Sequence, residues 1–210
     1  MKYLYSQPAV LVEDANGIHQ LQSKSLLLKN RVIFVDDEIC SDTANEIIRQ
    51  ILLMAAQSHD PITLVLDSPG GSTQAGLQLV DVMRSCPCAI RTIALGCAAS
   101  MSAVLLAAGT KGNRFISPHS RVMLHEPLLA GGISGSTTHI ESVANDLKAT
   151  RKIINDLLCQ YTGQSTEVLR KATSYDHYFD AQEAVDFGLA DAVIADGKLF
   201  DCLLGGNVNA

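Results

Sequence analysis

Tryptophan is absent from the 210 residues, aromatic side chains make up 5%, and charged ones 18%, against about 25% charged in an average soluble domain. Such scarce charge beside 47% hydrophobic residues excludes intrinsic disorder, because the chain has enough apolar surface to offset the entropy of ordering. No stretch reaches the roughly 18 apolar residues of a membrane span. Met1 to Val12 is interrupted by Ser6, Gln7 and Pro8, with Glu13 close behind, before a signal-peptide core forms. A cytoplasmic protein without a membrane partner is therefore predicted. Basic clusters are missing too: net charge is −6, the pI is about 5.4 and no cationic run is longer than a pair such as Arg151-Lys152, so nucleic acid finds no docking stripe. Six cysteines are present, but Cys86-Pro87-Cys88 lacks the two-residue spacer of redox and zinc motifs, and all six read as reduced thiols of a cytosolic protein. HExxH, zinc-spaced cysteines, regularly spaced carboxylate pairs, a Gly-Lys-Ser/Thr phosphate loop and a dinucleotide fingerprint are also lacking, so no metal, glycosidase or nucleotide chemistry is predicted.

What is present is one domain's worth of α/β pattern. A chain of 210 residues hides roughly 70% of its unfolded surface, and its charge-poor exterior predicts partner subunits. The polar segment up to about Ser23 reads as an arm or hairpin. A β-branched run at 31–35 precedes Ala44, Ile47, Ile48, Ile51, Leu52 and Ala55 at helical spacing. A strand at 62–66, a helix after Asp67-Ser68-Pro69-Gly70-Gly71 and a strand at 90–95 form a βαβ crossover, hence parallel strands and a right-handed connection. An apolar helix at 98–108, a strand at 121–125, a long helix from about 140 to Gly163 and a capping-box start at Asp180 with Glu183 complete the series.

Ligands of open α/β sheets gather beyond the carboxyl ends of strands. Three such ends bear chemistry. Ser100 falls at the start of the apolar helix, where the dipole and free N–H groups suit an acyl-transfer nucleophile, although from this segment alone a plain N-cap is the better account of a serine there. Gly70-Gly71 supplies backbone donors without Cβ obstruction, or simply a tight turn. His125 terminates an apolar strand as a titratable base, or as a structural residue. Asp176, Asp67 and Glu126 compete as the carboxylate orienting that base, and periodicity does not choose among them.

Asp67-Ser68-Pro69-Gly70-Gly71-Ser72, Gly96-Cys97-Ala98-Ala99-Ser100-Met101-Ser102-Ala103 and Ser120-Arg121-Val122-Met123-Leu124-His125-Glu126-Pro127 resemble the ClpP family of caseinolytic serine peptidases, with Asp180-Ala181-Gln182-Glu183-Ala184 and Gly188-Leu189-Ala190-Asp191 completing its order. The resemblance implies a crotonase-like ClpP fold, in which repeated βαβ units form a head and a strand and helix form a protruding handle. It implies residues 1–25 as an axial arm, 26–196 as the peptidase domain with its handle at about 126–161, and 197–210 as a tail. It implies Ser100 as nucleophile, His125 as general base, Asp176 as orienting acid, and the N–H groups of Gly71 and Met101 as the oxyanion hole. It further implies two stacked heptameric rings of identical chains, polypeptide substrates and a Clp-type AAA+ ATPase that uses the ATP, so that this chain binds no cofactor.

Four departures stand out. Glu126 replaces the family's usual glutamine and puts a second acid beside His125, a rival to Asp176. Ser174-Tyr175 replaces an Asp-Arg pair that joins the rings, the stretch between His125 and Ile140 is two residues longer, and Thr63 and Val65 stand at positions where tyrosines help receive the ATPase loop. These departures motivate a rival expectation of a weakly active scaffolding subunit. A crotonase-type acyl-CoA enzyme leaves Ser100, His125 and Asp176 unexplained, and a Ser/Lys pair with Lys111 is disfavoured because that lysine lies about 16 Å along the helix from Ser100.

Overall fold

Local sequence chemistry sets most element boundaries in the computed structural model, which describes residues 9–14, 17–129 and 131–204. Strands β1 (Ala9–Asp14) and β2 (Gly17–Gln22) pair antiparallel as the predicted N-terminal hairpin, and a short helix α1 (Ser23–Lys29) leads into β3 (Val32–Val35). Helix α2 (Ser41–Gln57) starts where the Cys40 N–H donates to Thr43 Oγ1 at 2.9 Å, and it buries Ala44, Ile47, Ile51 and Met54 along one stripe. Next come β4 (Ile62–Ser68), α3 (Thr73–Ser85) with its N-cap Ser72 accepting from Ala75 N, and β5 (Ile90–Ala99). Helix α4 (Met101–Ala108) is built of small and aliphatic residues and is buried from Met101 through Ala107. Strands β6 (Arg114–Ile116) and β7 (Arg121–Leu124) precede the 26-residue α5 (Thr137–Thr162), which ends at Gly163 with φ 77°. The chain closes through α6 (Thr166–Ala172), β8 (His177–Phe179), α7 (Ala181–Phe187), β9 (Ala192–Val193) and α8 (Leu199–Leu203). The Asp180 and Glu183 capping box forms as predicted, with reciprocal bonds of 2.8 and 2.9 Å.

The strands order as β3-β4-β5-β6-β9, all parallel, while β7 pairs parallel with β5 and antiparallel with β8. Strand β5 forks. Thr92–Ala94 pair with β6, and after an irregularity Cys97–Ala99 pair with β7. The predicted strand at 90–95 thus runs on to Ala99, and α4 begins at Met101 rather than at Ala98, because pairing to β7 overrides the helix preference of two alanines. Ile33, Ile51, Leu64, Leu66, Leu79, Leu105 and Leu106 are nearly inaccessible and weld α2, α3 and α4 to the sheet, each side chain stabilising by about 1.5–3 kcal/mol.

Arg114 on β6, 3% exposed, ties the far ends of three helices together. Its Nη1 donates to the carbonyls of Ala107, Tyr161 and Gly188 at 3.3, 3.1 and 3.0 Å, at the negative ends of α4, α5 and α7. Its Nε and Nη2 hold Asp191 Oδ2 and Oδ1 at 3.0 and 2.6 Å. Burial pushes the Asp191 carboxyl up, but the Arg114 guanidinium and the Arg114 and Gly112 N–H donors outweigh it and keep the group below the usual carboxylate range.

Helix α5 lies in the handle expected at about 126–161, and residues 128–129 and 131–136 pair with no strand among the described residues of this chain. Residues 1–8 of the arm and 205–210 of the tail lie outside the described residues. All six cysteines are free thiols, though only Cys88 and Cys202 are fully buried. Among the described residues no helix is long and apolar enough to cross a membrane, and no three His, Cys, Asp or Glu side chains gather as a metal-binding group.

Candidate active site

Ser100 sits between β5 and α4 with φ 54° and ψ −120°, and among the described residues it shares positive φ outside glycine only with Arg31. A serine in that region costs about 1–3 kcal/mol and persists only where its surroundings fix it. They do: Ser100 N donates to Met123 O at 2.8 Å, and Ser100 O accepts from Ala103 N at 3.0 Å, so the residue is clamped between strand and helix. Its hydroxyl makes no cap bond, which removes the N-cap reading. Instead Oγ lies 2.8 Å from His125 Nε2. With the proton on Nδ1, Nε2 accepts from the hydroxyl.

His125 follows the end of β7, and its side chain is 18% exposed. Pairing of Leu124 with His177 continues the antiparallel register, so the residue before β8 arrives opposite the histidine. That residue is Asp176. Strand β8 is absent from the sequence reading, because three residues of mixed polarity give no periodic signal, yet it selects among the three acids. Asp176 Oδ1 stands 3.7 Å from His125 Nδ1, an ion-pair distance beyond hydrogen-bond reach, with its side chain 62% exposed. The rivals are engaged elsewhere. Asp67 Oδ1 accepts from Cys97 N at 3.0 Å, and Glu126 Oε2 accepts from Arg151 Nη1 at 2.9 Å, so the second acid beside His125 turns to α5.

The turn after β4 lies against the same spot. A Cβ on Gly70, where φ is 88°, would sit 2.6 Å from Ala99 O, 2.8 Å from Ser100 Cβ and 2.9 Å from Met101 N, so only glycine permits this approach. Ile39 pairs with the turn by donating to Gly70 O at 2.8 Å and accepting from Ser72 N at 2.7 Å, which leaves the Gly71 N–H outside the pairing. Met101 opens α4, where N–H groups have no intrahelical acceptor. Sequence reasoning passed over Ser68, 1% exposed, whose hydroxyl donates to Asp37 O at 2.7 Å, accepts from Gly70 N at 3.1 Å and fixes the turn. A narrow cleft of about 20 Å³ beside Ser100 and His125 is lined by Val104, Leu124, Pro127, Ile154 and Leu158.

A hydroxyl bonded to an imidazole, a carboxylate behind the ring and backbone donors in front together suit nucleophilic attack on a carbonyl. The sequence is similar to known proteins in the same sense. A family model for Clp protease matches residues 15–197. The ATP-dependent Clp protease proteolytic subunit of Ligilactobacillus salivarius (strain UCC118) is 42% identical over 192 residues, covering 91% of this chain and 96% of that protein. With the family model spanning the whole sheet and a relative aligned along nearly its full length, the chain belongs to the Clp protease family.

Proposed function

We propose that this chain is the proteolytic subunit of a Clp-type protease, a serine endopeptidase in which Ser100 is the nucleophile, His125 the general base and Asp176 the orienting acid. The observation that carries the reading is the 2.8 Å contact between Ser100 Oγ and His125 Nε2, made by a serine held at φ 54°. His125 takes the hydroxyl proton as Oγ attacks the peptide carbonyl, and the N–H groups of Gly71 and Met101 receive the oxyanion. His125 then protonates the leaving amine, and water hydrolyses the acyl-enzyme by the same steps reversed. Asp176 is exposed, and the charge that forms on the imidazole draws it onto Nδ1–H. No cofactor enters this chemistry.

The relative's name couples its proteolysis to ATP. In this chain that coupling falls to a separate Clp-type AAA+ ATPase, which feeds unfolded polypeptide to a cytoplasmic homo-oligomer of two stacked heptameric rings. Two features support assembly. Leu128, Ile133, Ile140 and Ile153 are 40–63% exposed on α5 and the segment before it, a face for a second copy. An apolar groove of about 260 Å³ between α2 and α3, lined by Ile51, Leu52, Ala55, Val82 and Cys86, is a seat for an apolar docking loop although Thr63 and Val65 bring no aromatic ring. A scaffolding role leaves the formed Ser100 and His125 bond without purpose. Ser100→Ala tests the assignment: native mass unchanged, with fluorophosphonate labelling and short-peptide hydrolysis abolished. An assembled wild type that neither labels nor cleaves, or a variant that keeps its activity, overturns it.

A further inference from the structure

We propose that Asp67 is a positioning residue for the Ser100 and His125 pair, an inference that rests on the peptidase reading above. The register between β4 and β5 places Leu66 opposite Ala94 and resumes with Ser68 opposite Ala98, so Asp67 alone faces Leu95, Gly96 and Cys97. A bulge of this kind bends its strand and removes N–H groups from the ladder. Two side chains take up those donors. Ser120, 2% exposed, accepts from Gly96 N at 2.8 Å and donates to Ala94 O at 3.0 Å. Asp67 Oδ1 accepts from Cys97 N at 3.0 Å and fits so closely over the bulge that a Cβ on Gly96, where φ is 102°, would lie 2.5 Å from it.

The bulge is the point at which β5 leaves β6 for β7. Thr92–Ala94 pair with Arg114–Ile116 before it, Cys97–Ala99 pair with Arg121–Met123 after it, and Ser100 N continues that ladder to Met123 O. The register of the nucleophile against the strand that delivers His125 is thus fixed three residues upstream, at the amide Asp67 holds. Asp67 acts on the backbone and not on the reacting atoms. A displacement of about 1 Å in such a pair costs on the order of a hundredfold in rate, so a carboxylate outside the triad controls turnover through geometry.

Asp67→Ala and Asp67→Asn, compared with wild type as the assembled oligomer, test this. In D67A we expect kcat on a short fluorogenic peptide to fall about ten- to a hundredfold with KM within about twofold, and fluorophosphonate labelling of Ser100 to slow in parallel. D67N restores both to within about threefold, because the amide oxygen accepts the same bond, and hydrogen exchange at the Cys97 amide is fast in D67A and protected in D67N. Wild-type kcat in D67A, or D67N as slow as D67A, overturns the proposal. If wild type itself neither labels nor cleaves, the peptidase reading falls, and Cys97 exchange alone decides positioning: faster exchange in D67A alone supports it, equal rates overturn it. Should D67A not assemble, D67N is compared with D67E, which keeps the charge but displaces the acceptor; a fast D67N with a slow D67E supports positioning, and the reverse order overturns it.

Discussion

Replacing Asp191 with alanine strands a buried cation, and the structure says how much that costs. Arg114 has a side chain 4% exposed and loses its two-point partner, keeping only the carbonyls of Ala107, Tyr161 and Gly188. Removing one member of a buried pair costs about 3–5 kcal/mol. The Asp191 side chain is 17% exposed, so water reaches the vacated position and the lower end, about 3 kcal/mol, is expected. At a urea dependence of about 1–3 kcal/mol/M, the unfolding midpoint drops by about 1–3 M at fixed protomer concentration. The pH dependence has a definite sign. The folded carboxyl titrates below its unfolded value, so the part of its contribution that depends on ionisation is complete above the ordinary carboxylate range and is lost as pH falls through the folded value, where the gap between wild type and variant narrows. A loss under about 1 kcal/mol, or a gap that stays constant on acidification, refutes the clamp.

Gly70→Ala drives a methyl toward Ala99 O, Ser100 Cβ and Met101 N, and peptidase activity should fall about a hundredfold or more with native mass retained; more than a tenth of wild-type activity would contradict the close approach. Glu126→Gln should leave kcat/KM within about threefold, because that carboxylate serves Arg151 on α5 and not the imidazole; a tenfold change in steady-state assays would place it in the proton chemistry. Burial pushes the Cys202 thiol up to about 11, against the lowering effect of nearby Arg91. In native protein at pH 8 it should therefore alkylate at least about a hundredfold more slowly than an ordinary exposed thiol, and rapid iodoacetamide labelling of Cys202 would contradict its burial.

The strands with long β-branched runs and the helices with clear caps were legible because their signals are local: Asp180 with Glu183, or Gly163 after a long amphipathic run, depends on neighbours in sequence. Strands β6, β8 and β9, of two or three residues each, carry no period and exist only because the sheet offers them an edge. Residues 128–129 and 131–136, in the expected handle, pair with no strand among the described residues of this chain. At the site, Ser100, His125 and the glycine turn were visible as strand ends. Which acid joins them was not, since the choice among Asp176, Asp67 and Glu126 is made by the register of Leu124 with His177. Nor does any sequence signal announce that Ser100 has positive φ, because alanines before it and aliphatics after it read as uninterrupted helix.

That torsion filters which side chain position 100 can carry. Threonine offers the same oxygen, yet a β-branched residue at φ 54° is a steric outlier, so Ser100→Thr fails on backbone grounds before reactivity is ever consulted. Cysteine, unbranched, passes. A thiol can thus replace the hydroxyl at position 100 by a single exchange, whereas a methyl branch beside that oxygen is closed to it.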